Sequence, residues 1–185
     1  MNTIEAINAR HSVGNFKPDA VSRNVIENLL SAAVQAPNHH KIRPWRFFVI
    51  AGAARDRLGE AMAEGLRRRN PLIGEESLIR ERAKPLRAPA IIAVAVDRPT
   101  EERIIEIENI CAAAAACQNL LLAATDLGLA SYWRTGDAAR DPVVKEFLGL
   151  EASQPLIAFI YVGYPGAILE SPPRPGFDDR TTWLD

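Results

Sequence analysis

The run "ICAAAAACQNLLLAA", residues 110–124, constrains the fold of this chain more than any other stretch. Consecutive alanines favour a helix, and apolar residues on every side of it demand burial all round. Small side chains also let another backbone approach closely. Upstream, Glu101, Glu102, Ile104, Ile105, Glu106 and Ile107 mix charge with isoleucine, and the pattern predicts one helix from Thr100 to Gly128. About 27 residues at 1.5 Å each would reach roughly 40 Å, more than a domain of this size needs. The reading taken is a helix at the centre of a dimer; the competing one is a core helix within a single monomer. Gln118 and Asn119 break the apolar run, which is too short to span a bilayer.

The remaining periodicities alternate helix and strand. Asn2 or Thr3 caps a short helix with Ile4 and Ile7 on one face. Ser22 opens a second, in which Val25, Ile26, Leu29, Leu30, Ala33 and Val34 recur at helical spacing until Pro37. "RFFVI" (46–50) predicts a buried strand, and Leu58, Met62 and Leu66 a helix after it. Residues 65–87 read as a charged, proline-interrupted connection, variable or mobile. "APAIIAVAV" (88–96) is apolar on both faces and predicts a central strand. "LASYWR" (129–134) and "PLIAFIYVG" (155–163) predict two more, separated by a helix with Asp141 as cap, Pro142 at its first position and Gly149 past its end. The tail, residues 164–185, carries four prolines but ends in Trp183 and Leu184, which favours an arm docked on another surface.

With 22 basic and 23 acidic side chains among 185 residues, the net charge of −1 offers no overall attraction to nucleic acid or anionic lipid. The length suits a single domain, 1–185. Cys111 and Cys117 fall on different faces of one helix, which argues against a mutual disulfide and suits a reducing cytoplasm. The N-terminus lacks the long apolar core of a signal peptide.

Three polar clusters stand at element edges. Arg10, His11 and Ser12 end the first helix; a guanidinium beside a hydroxyl suits a phosphate or carboxylate, although Arg10 could equally complement the helix dipole. "QAPNHHKIRPWRFFVI" (35–50) gathers Gln35, Asn38, His39, Lys41, Arg43, Trp45 and Arg46. "YWRTGD" (132–137) leaves a strand through a Thr-Gly turn able to present backbone N–H groups. Together they suggest a large planar anionic ligand with many acceptors. There is no glycine-rich nucleotide loop, no nucleophile elbow and no helical His pair, and a metal site is not expected.

These motifs carry a resemblance. "R-x-S-x-x-x-F" at 10–16, "APNHHKIRPWRFFVI" at 36–50, the Ala-rich helix, "WRTG" at 133–136 and a strand ending "GYP" at 163–165 resemble the flavin-dependent nitroreductase family, in its short bacterial branch of NAD(P)H nitroreductases. The likeness spans essentially the whole chain. It implies an α+β three-layer sandwich, a mixed sheet flanked by helices, forming an intertwined homodimer with FMN in two interfacial clefts. By position, Arg10, His11 and Ser12 would contact the FMN phosphate and pyrimidine side. Gln35 would occupy a flavin-binding position held by arginine in relatives, and His39 would reach the partner's FMN. Trp133, Arg134 and Thr135 would form the loop against the isoalloxazine. Gln35 removes a positive charge from the usual set, and Arg174 is a candidate replacement.

The implied chemistry is hydride transfer from NAD(P)H through FMN to a nitroaromatic, quinone or similar small-molecule acceptor by a ping-pong mechanism. It calls for no catalytic side chain, because the cofactor carries the reaction. The same fold also hosts dehalogenation and flavin cleavage, and a flavin- or ligand-binding module without activity is the remaining alternative.

Overall fold

In a computed structural model, residues 1–167 and 173–184 are described. Four strands, β1 (Trp45–Ala51), β2 (Ala90–Val96), β3 (Ala130–Arg134) and β4 (Leu156–Gly163), form a sheet in the order β1-β2-β4-β3. All three pairings are antiparallel, so the expected mixed sheet is, among the described residues, purely antiparallel. Every residue of β2 is buried, as its unbroken apolar run requires of a strand covered on both faces.

Helices α2 (Arg23–Ala33) and α5 (Glu106–Asp126) cover one face; α3 (Ala54–Arg69), α4 (Glu75–Ala83) and α6 (Pro142–Phe147) lie on the other. The first core joins Ile26 and Leu29 of α2 and Ala113, Ala116 and Leu120 of α5 to Ile92, Val94 and Ile160 of the sheet. The second joins Leu58, Met62 and Val144 to Ile91, Phe159 and Tyr161. Fully burying one such Leu or Ile contributes roughly 1.5–3 kcal/mol. The short α1 (Thr3–Ala9) rests on α5 and starts with a capping box in which Asn2 and Glu5 exchange hydrogen bonds. Its buried residue is Ala6, whereas Ile4 and Ile7 are exposed.

Two sequence expectations are corrected. Helix α5 starts at Glu106 rather than Thr100. Arg103 pairs with Glu101 in the preceding turns, and of residues 100–105 only Ile104 is buried, so little apolar area would anchor another helical turn. At 21 residues α5 is long and apolar enough to cross a bilayer, but Asn109, Ala113, Cys117, Leu120 and Ala124 are buried inside the protein. Residues 65–87 are not a connection but the end of α3, all of α4 and a 3₁₀ turn, Lys84–Arg87. Arg82 bridges Glu60 and Glu75, joining α4 to α3.

Gly59 makes that packing possible: a Cβ there would lie 2.4 Å from the backbone oxygen of Arg82. Gly59→Ala therefore forces the helices apart. It is expected to cost about 1–3 kcal/mol, read as a fall of several degrees in Tm by calorimetry; an unchanged Tm would show that α4 does not depend on this contact.

Candidate functional site

The first polar cluster is carried to the sheet by the chain that follows α1. Arg10 leaves the helix in extended conformation, and the segment then fastens to the ends of β3 and β4. Val13 N–H donates to Ser131 O at 3.0 Å, Lys17 N–H to Tyr164 O at 2.8 Å, and Phe16 bridges Pro165. The first core residue after the helix, Val13, is buried, while Arg10 and His11 are half-buried and Ser12 is exposed.

Arg174 returns along the tail to donate from Nη2 to Arg10 O. Among the described ion pairs neither Arg10 nor Arg174 has a carboxylate partner. Burial, and then the Arg174 charge, pull the Arg10 pKa below the ordinary arginine value. His11 Nδ1 lies 2.9 Å from Ala9 O, which assigns its proton to Nδ1. Its Nε2 is buried without a partner. Such an atom takes an N–H donor when the ring is neutral and an anion when it is protonated. Two adjacent cations and an orphaned buried nitrogen form a site suited to a phosphate-bearing ligand with a polar ring.

Alternation along β3 divides the third cluster between the faces of the sheet. Trp133 turns towards α5: its Nε1 donates to Ile157 O at 3.1 Å, and its ring packs on the first core. Tyr132 and Arg134 share the other face, with the guanidinium carbon 5.3 Å from the tyrosine ring centre. Thr135 and Gly136 follow in a turn where Gly136 has φ of 67°, a left-handed conformation natural to glycine.

Two cavities meet at Tyr132, Arg134 and Tyr161. One, about 340 Å³, is completed by Ser12, Gly14, Phe16 and Arg87. The other, about 320 Å³, extends beneath α3 and α4 to Met62, Leu66 and Phe159, with Thr135 and Gly136 at its edge. Burial raises the Tyr161 pKa, partly offset by the nearby charges of Arg134 and Arg87. The two cavities form an aromatic-walled cleft region, with Arg134 shared between them and Arg87 lining one.

Gln35 and His39 stand elsewhere. Gln35, exposed after α2, borders a groove of about 360 Å³ with Met1, Ala32, Asn119 and Asp126. His39 borders another of about 500 Å³ with Pro37, Ile107, Cys111 and Ala115. Neither lines the Tyr161 cleft of its own chain. The stretch before β1 is a tight loop: His40, Lys41 and Arg43 have positive φ, His39 and His40 rings meet edge to face, and Asn38 Oδ1 accepts from Arg43 N–H. Non-glycine residues hold such a conformation at an energetic cost.

Arg87, Tyr132 and Tyr161 are cleft residues that sequence reasoning missed. Arg87 sat in a segment read as a connection, and Tyr161 in a strand read as plain core. The available signal was period-two alternation placing Phe159 and Tyr161 on one face of β4, with a hydroxyl where a core strand has no use for one.

Comparison with known proteins places this geometry. The model of the nitroreductase family matches residues 7–164. The Bacillus subtilis (strain 168) protein called Putative NAD(P)H nitroreductase YfhC is 30% identical over 179 residues, covering 96% of this chain and 92% of that protein. A nitroreductase-like family protein from Bacillus cereus superposes with a TM-score of 0.85 at 26% identity, over 100% of this chain and 96% of the other. A Desulfovibrio desulfuricans protein crystallised in complex with FMN gives 0.74 at 29% identity, over 95% and 93%.

The Arg10–Arg174 pair predicts anion-dependent stability. Millimolar phosphate, compared with chloride at equal ionic strength, should raise the Tm of the wild-type protein and raise it less in Arg174→Gln. An equal gain in both would remove Arg174 from the anion site.

Proposed function

The chain belongs to the nitroreductase family, and from that premise we propose that it is an FMN-dependent NAD(P)H oxidoreductase acting on nitroaromatic, quinone or similar conjugated acceptors. The observation that carries this reading is the pair of Arg10 and Arg174, without a carboxylate partner among the described residues, with the orphaned Nε2 of His11 and a neighbouring aromatic cavity that Ser12 lines. The donor set fits the cofactor. Arg10 and Arg174 would hold its phosphate, and His11 and Ser12 its polar ring edge. The Arg134–Thr135 turn would border the flavin ring system, with Trp133 anchoring that turn from the opposite face of the sheet.

When bound, FMN supplies hydride transfer between nicotinamide and acceptor. The protein's part is binding, orientation and electrostatics. Tyr132, Phe159 and Tyr161 present flat apolar walls, and Arg87 and Arg134 lower the energy of negative charge in the cleft. Thr135 and Gly136 present backbone N–H groups at its edge. NAD(P)H and the acceptor would use the same cleft in turn, which is ping-pong kinetics.

The assembly we propose is a homodimer of single FMN-binding domains. Ile4 of α1 is 66% exposed and Ile107 of α5 60%, while Trp183 and Leu184 of the tail reach 78% and 92%. That is apolar surface in want of a partner. Gln35 and His39 flank grooves along α5, so a second copy seated there would bring them to its own cleft. Cys111 and Cys117 are free thiols, which suits a reducing cytoplasm.

Visible absorbance of the purified protein, with NADH or NADPH added anaerobically, is the test: a flavin spectrum that bleaches is expected, and no flavin even with FMN in excess would overturn the reading. Arg10→Ala and Arg174→Ala should each weaken FMN binding about 10- to 100-fold by flavin fluorescence titration, the range for a lost charge-assisted hydrogen bond. Sedimentation should give twice the chain mass; a monomer would remove the interface. His39→Ala with unchanged FMN affinity and turnover would remove His39 from the site.

A further inference from the structure

A cavity of about 400 Å³ lies where β2 runs out and β4 begins. It shares no lining residue with the Tyr161 cleft or with the grooves beside Gln35 and His39. Its most buried polar group is Asn109, near the start of α5 and only 3% exposed. Asn109 Nδ2 donates to Asp97 O at 3.3 Å, which fixes the orientation of the amide. Its Oδ1 then has no donor among the described hydrogen bonds. Asp97 uses one carboxylate oxygen: Oδ1 accepts from Arg46 Nε at 2.5 Å and from Gln154 Nε2 at 3.3 Å. Asp97 Oδ2 and Gln154 Oε1 are likewise without a donor among the described residues. The inner wall is therefore rich in acceptors, and its deepest member is a side chain buried in the protein. A buried acceptor left without a donor is costly, so the donor has to come from outside the chain.

Charge around the cavity narrows what can supply it. Arg46 and Asp97 neutralise one another. Arg98 and Glu151 also line the cavity, both exposed, and among the described ion pairs neither has a partner, not even the other. A cation and a carboxylate that share one cavity without meeting complement a ligand carrying both charges. Ile104, buried, and Ile42, half-buried, add an apolar stretch of wall. We infer that this cavity binds an aliphatic α-amino acid. The ammonium donates to Asn109 Oδ1 and to the Glu151 carboxylate, the Arg98 fork holds the carboxylate, and the side chain rests on Ile42 and Ile104. An amine alone would leave Arg98 without a partner. A carboxylate alone would leave the inner acceptors without a donor and would face the charge of Glu151.

The test is calorimetric titration of the purified protein with L-leucine, isoamylamine and isocaproate. These share a branched chain and carry both charges, the ammonium alone and the carboxylate alone. Leucine should bind at least about tenfold more tightly than either relative, as expected when one charge-assisted contact is lost. Arg98→Gln should remove the advantage of leucine over isoamylamine, and Glu151→Gln its advantage over isocaproate. Both residues are exposed, so the substitutions are expected to leave folding intact. No binding of leucine, equal binding of all the compounds, or advantages that survive both substitutions would each overturn the proposal. The titration reads binding without turnover and without FMN, so its outcome is independent of the flavin reading.

Discussion

The structure depends on one pair of strands. β2 and β4 lie side by side in the middle of the sheet and are apolar on both faces, so each face must be covered. Neither face can be left to water without losing most of the apolar burial that stabilises the chain. Helices α2 and α5 satisfy one side and α3, α4 and α6 the other, and the three layers follow. The cleft follows too. Tyr132 and Tyr161 lie on the α3 side of β3 and β4, where they join the second core and wall a cavity beneath α3 and α4.

Polar and cationic groups arrive by three separate routes. The extended segment after α1 brings Arg10, His11 and Ser12; the tail brings Arg174; and the 3₁₀ turn after α4 brings Arg87. Burial and, after it, repulsion from Arg174 lower the pKa of Arg10. A protein tolerates such a cluster when an anion is there to be bound, because hydrogen bonds to a phosphate repay both the repulsion and the desolvation. Between α3 and α4 charge is matched, Arg82 pairing with Glu60 and Glu75.

Helix α5 bears on the proposed assembly. One side of it, with Ala113, Ala116 and Leu120, is closed against the sheet, and the run of alanines that made it conspicuous is only partly spent there. Its outer side borders the grooves that hold Gln35 and His39. Neither residue lines its own chain's cleft; in the proposed homodimer they would serve the neighbouring copy.

Much of this was legible in the residues themselves. Short apolar runs located all four strands to within two residues, the Asp141–Pro142 cap located α6, and Ser22 the start of α2, because these depend on local composition and backbone chemistry. The N-terminal cluster and the Thr-Gly turn were also visible as polar groups at element ends. What local pattern could not supply was the sheet order, the antiparallel sense of every pairing, and the helical character of residues 65–87. α4 has weak periodicity, and it is held by Gly59 and by Arg82 reaching residues far along the chain. Nor could it join Arg174 to Arg10, or bring Arg87 and Arg134 to one cavity. The sequence by itself determined which segments are strands and helices and which polar groups were available, since those follow from neighbours along the chain. Only the tertiary structure decided which of those groups share a cleft, since that depends on packing between residues up to 164 positions apart.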